Sequence, residues 1–518
     1  MPADSPTVAE ILRHHAHARR DHPLLICDSD RISYAEADHR SAELARGLIA
    51  FGAGKGTHVG LLYPNGTDFV IGMLATARIG AVVVPFSTFA TGRELREQLV
   101  DSDVEILLSA SSFRYHDYLQ RLAEVLAVPG FDSRLLLAAI PQLRHVTVNF
   151  ERAYRLAATV EPALLAALED DVDGADPLAI VYTSGSAATP KGVLHTHQAL
   201  LQHQKNLNMI RGLAADDKLF CNSPFFWIGG FAFGLLATLV AGSTLICSNA
   251  TDASETLDLI EAEKPTMTNG FAAGIAHLAA DPSIAGRDLS SMQRGNLYPI
   301  MAPAARPADP ELRHNMLGLT EAGSVLLISG DESDQPEKRR GSFGKPAPGF
   351  HTKIIDPDAE GVGELCIRGP FVMQCYYKRS REESFDADGW LHTGDLVRTD
   401  DDGFLYFVGR RSAMIKTAGA NVSAAEVEKA IAKITGADAH VVGIPDAERG
   451  ELVAAVIVEG VQPGLDPDLD LAALRERLKD ELSSYKIPKR FLSVSRAEVP
   501  LLSSGKVDTR RLKKLFDA

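Results

Sequence analysis

Cysteine is scarce in this chain: five in 518 residues, at Cys27, Cys221, Cys247, Cys366 and Cys375, with no paired or metal-type spacing. That excludes a disulfide framework and a zinc-ribbon reading, and it fits a reduced, cytoplasmic setting. Positive charge is also short, with 53 Lys and Arg against 68 Asp and Glu, a net of −15. A general nucleic-acid binder needs a basic face, so none is expected. The first residues lack the apolar segment behind a basic one that marks a secretory signal. One uncharged run, Phe225 to Cys247, is long enough to cross a bilayer. Gly229, Gly230, Gly234 and Gly242 interrupt it and no basic flank adjoins it, so a buried helix and strand beside a pocket is expected, with no transmembrane segment.

What remains is an ordinary globular composition, 45% hydrophobic and 23% charged, with length enough for two or three domains. Up to about Asp176, apolar strands alternate with helical patterns: Val59 to Tyr63 and Ala81 to Phe86 as strands, Thr67 to Ile79 between them as a helix. Such alternation predicts α/β layers. Gly52 to Thr57 superficially resembles a nucleotide loop. Gly56 stands where Ser or Thr is required and Ile49 where a glycine leads, so it reads as a turn. His14, His15 and His17 have no acidic partners nearby and read as a solvated face. Asp400 to Gly403 opens like a calcium loop but lacks the later glutamate, and reads as a hairpin turn.

The chemistry gathers around Leu178 to His197. An apolar strand to Tyr182 stops in Thr183, Ser184, Gly185 and Ser186, then reaches Lys191 and Gly192 ahead of a helix capped near Thr196. Small and hydroxyl residues leave backbone N–H groups open to a polyphosphate, and Lys191 adds a point charge. His195 and His197 stand next to this loop, with packing or capping as their default role. Downstream, Thr320 and Glu321 set a hydroxyl beside a carboxylate, which suits a Mg²⁺ held mainly by phosphate oxygens. Asp395 follows a tight turn and could accept both hydroxyls of a ribose. Gly409 and Arg410 end a strand, Lys416 to Asn421 forms a loop before a helix, and Lys506 sits in a small-residue turn near the C-terminus.

In this order and at these separations, the motifs resemble the acyl-adenylate-forming superfamily of acyl-CoA synthetases, adenylation domains and luciferase-type enzymes. The resemblance covers nearly the whole chain. It implies an α/β fold: a large N-terminal body of several subdomains with layered sheets, residues 1–411, and a small mobile C-terminal α/β lid, residues 412–518. It implies an ATP-dependent acyl-CoA ligase that joins a carboxylic acid to AMP and then to coenzyme A, with ATP, Mg²⁺ and CoA required. By the same resemblance, Thr183, Ser184, Gly185, Ser186, Lys191 and Gly192 hold phosphates, and Thr320 contacts the α-phosphate. Glu321 is the metal ligand, Leu317 lies at the adenine, and Asp395 and Arg410 hold the ribose. Lys506 neutralises the transition state, Ser412 is the hinge, and Gly419 admits the pantetheine arm. Lys486, Lys489 and Arg490 are candidates for the CoA phosphates, with solvated charge the default for each.

The chain departs from the family pattern in places. Ser186-Ala187-Ala188 replaces a run richer in hydroxyl and glycine, Leu317 replaces an aromatic residue, and Tyr298 to Met301 stands where a double glycine is usual. Tyr298 is therefore expected to reshape the adenine wall. The acyl pocket is expected at Trp227, Ile228, Phe231 and Phe271. Ile228 stands where amino-acid-activating relatives place an aspartate, and it cannot pair an ammonium group. An apolar acid is favoured, either a fatty acid or a cyclic or steroid-side-chain acid, with lipid metabolism as the setting. Two alternatives stay open: a ligase that loads a carrier protein, and a catalytically weakened nucleotide- and acyl-binding homologue. A homodimer is compatible with the sequence.

Overall fold

The computed structural model describes residues 6–183, 190–410, 414–459, 471–496, 498–500 and 507–517. It divides into two compact units, one of residues 1–88, 99–183 and 192–409, the other of 89–98, 184–191 and 410–518. Each is α/β.

Two largely parallel sheets form the base of the larger unit. One runs Cys375–Tyr376, Lys191–Thr196, Pro177–Thr183, Val82–Pro85, His58–Leu62, Ile106–Ser109, His145–Val148. The other runs Arg294–Gly295, Met267–Asn269, Lys218–Cys221, Thr244–Cys247, Pro23–Cys27, Asp30–Ser33. The helix Thr67–Arg78 is buried at every residue except Asp68 and shares one core with strand residues of both sheets. Its last residue, Arg78, is buried in ion pairs with Glu169 and with Asp38. Antiparallel strands complete the unit: Leu317–Leu319, Ser324–Ile328 and Lys345–Pro346, then His351–Ile355, Gly363–Arg368, Leu391–Thr399 and Leu405–Arg410.

The uncharged run folds as a π-helix, Gly229–Leu236, continued by the helix Ala237–Ala241 and the strand Thr244–Cys247. Among the described residues no helix is long and apolar enough to cross a membrane. Gly230 is required by closeness, since a Cβ there would lie 2.1 Å from the Pro224 carbonyl oxygen. The hairpin at Asp400 is found as expected, closed by the Asp400 N–H to the Phe404 carbonyl and by Tyr406 Oη to Asp400 Oδ2 at 2.9 Å. His15 corrects the expectation of a solvated face. Its ring packs 5.3 Å from that of Tyr34 and beneath Gly242, and burial together with His14 lowers its pKa to about 4.

In the smaller unit, Ala420–Ser423, Met414–Thr417, Gly450–Glu459 and Ala439–Asp446 are adjacent in that order, and Arg490–Ser495 runs parallel to Gly450–Glu459. Helices Ala424–Thr435 and Leu471–Leu478 cover one face, burying Val427, Ile431, Leu474 and Leu478. Lys486 is not solvated, which corrects its default reading. It is 5% exposed, 2.6 Å from Glu94 Oε1 and 2.8 Å from Glu426 Oε1, while Ser483 Oγ donates to Glu94 Oε2 at 2.6 Å.

Candidate active site

The strand Pro177–Thr183 delivers Thr183, half-buried, to the start of the loop expected to hold phosphates, and the strand Lys191–Thr196 follows it. The loop residues Ser184, Gly185 and Ser186 lie outside the described residues, as do Ser412 and Lys506 and the side chain of Arg410. Gly192 is buried, and a Cβ there would meet Ile180 Cγ2 at 2.6 Å, so the two strands can pair this closely only with glycine. The helix His197–Arg211 is capped by Thr196, whose Oγ1 accepts from the Ala199 N–H at 3.1 Å. This satisfies one of the donors that a helix start leaves open.

Thr320 and Glu321 sit on a single 3₁₀ turn, Thr320–Ala322, between the strands Leu317–Leu319 and Ser324–Ile328. Gly323 ends the turn at φ +67, a left-handed conformation that glycine adopts without strain. Glu321 is held at both ends: its carbonyl accepts from the Met373 N–H at 2.8 Å, and its Oε1 accepts from Tyr376 Oη at 2.6 Å. Tyr376 had no signal in the sequence, since it lies on the short strand Cys375–Tyr376 far along the chain. One oxygen of Glu321 is thus oriented by a phenol, which fixes the carboxylate plane as metal-site carboxylates are commonly fixed.

Asp395 is buried at 1% exposure on the strand Leu391–Thr399. The turn before it is tied down by Thr393 Oγ1 to the Leu365 carbonyl at 2.7 Å and by the Gly394 N–H to Glu364 Oε1 at 2.9 Å. Leu317 differs from expectation. Its side chain is 4% exposed and belongs to the apolar core, so it is a packing residue and not an open face for adenine. Tyr298 likewise packs, half-buried, against the core that holds Ile300 and Met301.

Of the four acyl-pocket candidates, Trp227 and Phe271 come together edge-to-face, ring centroids 6.4 Å apart, with Phe226 5.5 Å from Trp227. Phe271 is 40% exposed, and Ile228 is half-buried against the core. Phe231 is 0% exposed with its ring beside Phe69, which makes it a core residue and corrects its assignment to the pocket. Asn222 is the residue missed here. Its Oδ1 accepts from the Phe271 N–H at 3.2 Å and its Nδ2 donates to the Phe271 carbonyl at 3.3 Å, holding that segment as a strand neighbour would.

In the smaller unit, Gly419 has φ +84 and follows Ala418 at φ +48 in the two-residue turn joining Met414–Thr417 to Ala420–Ser423. Two left-handed residues are what a tight hairpin of this twist demands, so local geometry alone accounts for the glycine.

Among the described residues no group of three or more His, Cys, Asp or Glu is placed to hold a metal. A magnesium ion held chiefly by phosphates needs only one or two carboxylates, and Glu321 is oriented to be one.

Residues 12–377 match the family described as AMP-binding enzyme, and residues 426–506 match the AMP-binding enzyme C-terminal domain. Similar proteins include feruloyl-CoA synthase of an Amycolatopsis species, 31% identical over 94% of this chain and 94% of that protein. A second is 3-[(3aS,4S,7aS)-7a-methyl-1,5-dioxo-octahydro-1H-inden-4-yl]propanoyl:CoA ligase of Mycobacterium tuberculosis, 31% identical over 99% of this chain and 100% of that one. Among solved structures, the o-succinylbenzoate CoA synthetase of Bacillus subtilis shares the fold, with a TM-score of 0.75, 24% identity and 97% of both chains covered. The amide bond synthetase McbA of Marinactinospora thermotolerans does so with a TM-score of 0.76 and 23% identity, over 99% of this chain and 100% of that one. The chain therefore belongs to the AMP-binding enzyme family, among the acyl-CoA-synthetase-like members of the acyl-adenylate-forming superfamily.

Proposed function

We propose that this AMP-forming acid–CoA ligase activates an apolar carboxylic acid, ring-bearing acids ahead of straight fatty chains. The observation that carries the reading is the Trp227–Phe271 aromatic pair, with Ile228 next to Trp227 offering no carboxylate to a substrate ammonium. Relatives named for feruloyl and for a fused-ring propanoate support the preference for rings.

A carboxylate resists acyl transfer because oxide is a poor leaving group. In the first half-reaction a carboxylate oxygen attacks the α-phosphorus of ATP and pyrophosphate leaves, giving acyl-AMP. In the second, the CoA thiol gives up its proton, its sulfur attacks the acyl carbon, and AMP leaves. Both steps are governed by positioning and charge neutralisation. Thr183, Lys191, Gly192 and the loop residues Ser184, Gly185 and Ser186 hold the departing phosphates; Thr320 bonds the α-phosphate; Asp395 and Arg410 hold the ribose; Lys506 offsets charge between the acid and the α-phosphate. Magnesium, held by Glu321 and phosphate oxygens, would supply charge neutralisation at the phosphates. Ser412 acts as the hinge and the Gly419 turn borders the path of the pantetheine arm.

The test is a panel of aromatic, alicyclic and fatty acids with ATP, Mg²⁺ and CoA, following pyrophosphate and thioester together. Pyrophosphate release with ring-bearing acids is expected, and thioester only when CoA is supplied. Lys506→Ala is expected to abolish acyl-adenylate formation while thioester formation from supplied acyl-AMP persists. No pyrophosphate release with any apolar acid would refute the reading, and thioester formed on a holo-carrier protein but not on CoA would move the acceptor.

A further inference from the structure

The turn bearing Thr320 and Glu321 is bonded from behind by three side chains that the mechanism above does not use. His195 Nε2 is 2.7 Å from the Thr320 carbonyl oxygen. Gln204 Nε2 is 3.0 Å from Ser324 Oγ and 3.4 Å from the Gly323 carbonyl. His203 Nε2 is 2.9 Å from the Val325 carbonyl, its ring stacked on Phe371 with centroids 5.6 Å apart. All three residues are 0% exposed.

A carbonyl oxygen only accepts, so both imidazoles carry their proton on Nε2. Nδ1 of His195, Nδ1 of His203 and, independently, Oε1 of Gln204 have no hydrogen-bond partner among the described residues. A buried polar atom left unmade costs about 1–3 kcal/mol, whereas an apolar side chain would fill the same volume without that penalty. The fold accepts this cost along one short stretch of backbone. That stretch also contains Ser324 at φ +151, outside the usual range for a residue with a side chain. The turn has no slack on this side either. A Cβ on Gly323 would meet Leu200 at 3.0 Å and His195 Cε1 at 3.6 Å.

We propose that His195, Gln204 and His203 are positioning residues for the adenylation step. Acting through the backbone of residues 320–325, they fix where the Thr320 hydroxyl and the Glu321 carboxylate stand, while Tyr376 orients that carboxylate from the other side. The proposal rests on the reading that Thr320 and Glu321 serve the nucleotide.

The substitution pair His195→Gln and His195→Asn tests it. A glutamine amide nitrogen falls near the place of Nε2, an asparagine nitrogen near that of Nδ1, so only the first keeps a donor for the Thr320 carbonyl. In His195→Asn, kcat for acid-dependent ATP–pyrophosphate exchange should fall about 10- to 100-fold, the scale of a misplaced reacting group, with transfer from supplied acyl-AMP to CoA within about threefold of wild type. His195→Gln should recover exchange to within about threefold. Hydrogen exchange at residues 320–325 should quicken in His195→Asn and not in His195→Gln, whatever acid is used. If His195→Asn melts early, Gln204→Leu removes the bond to Ser324 Oγ and carries the same readouts. Equal kinetics for the Gln and Asn variants, or unchanged hydrogen exchange at the turn in His195→Asn, overturns the proposal. Thr320→Ala and Glu321→Gln run in parallel: if both leave pyrophosphate exchange intact, the nucleotide reading fails, and hydrogen exchange still decides whether the brace exists.

Discussion

Two buried polar clusters in this protein solve opposite problems. Behind the Thr320–Ala322 turn, neutral imidazoles and an amide donate to carbonyls. In the smaller unit, Lys486 is shared between the carboxylates of Glu94 and Glu426. A neutral donor aimed at a carbonyl sets direction with little field of its own, which suits the nucleotide role proposed for this turn. An ion triad holds its members strongly but leaves a large penalty if any one is withdrawn. The difference should separate the two units in acid. Burial lowers His195, His197 and His203 to about 4, and His15 and His145 fall equally far through burial and neighbouring cationic groups. Their folded pKa lies below the unfolded value, so the stability they contribute is full above about pH 6.5 and drains as pH falls toward 4, most for the fully buried rings His195, His197 and His203. In the triad, burial raises Glu94, but Lys486 and Ser483 outweigh it and hold it below its ordinary value, so its contribution is lost only below about pH 4.5. Glu426 is raised by burial, only partly offset by Lys486, and has the opposite sign. Hydrogen exchange followed from pH 7.5 to 4.5 should therefore show the larger unit loosening first. Loss of protection in both units at the same pH would erase the distinction.

The next largest effect isolates the triad. Lys486→Met leaves two buried carboxylates without their cation, and about 3–5 kcal/mol should be lost from the smaller unit, read from urea unfolding. Burial opposes the charge on Lys486, but Tyr485, Glu94 and Glu426 outweigh it and raise its pKa, so the ammonium is charged throughout the working range. Adding Glu94→Gln to Lys486→Met should recover part of the loss, because one of the stranded charges is then removed. A single Lys486→Met variant as stable as wild type would show that the cluster carries no weight.

The same comparison explains what the sequence could and could not convey. Features made within a short span were legible: the helix cap at Thr196, the hairpin at Asp400 to Gly403, the strand entering the phosphate loop and the buried helix from Thr67. Each depends on local period or on one residue type in one turn. The partners that orient the site are remote in the chain: Tyr376 is 55 residues from Glu321, Asn222 is 49 from Phe271, and Lys486 is 392 from Glu94. No spacing rule reaches across such intervals. Phe231 and Leu317 failed for a different reason. An apolar side chain satisfies a pocket wall and a core equally, and only the neighbours that topology supplies decide between them. His195 was visible beside the loop and expected to pack or cap, and its carbonyl partner at Thr320 became apparent only once the strands were laid side by side.

The smallest effect sets the scale for the others. Asp402 pairs with Lys338 at 3.2 Å and with Arg339 at 2.9 Å, and its side chain is 47% exposed. Its pKa is held below the ordinary carboxylate value by hydrogen bonds to Arg339 and Lys338. Water and salt already solvate these charges, so the folded state gains little by bringing them together. Asp402→Asn should leave the urea unfolding midpoint almost unchanged at low salt, and shift it less still at high salt. A loss rivalling that of Lys486→Met would mean that burial does not set the strength of an ion pair in this protein, and the contrast between its two braces would lose its physical basis.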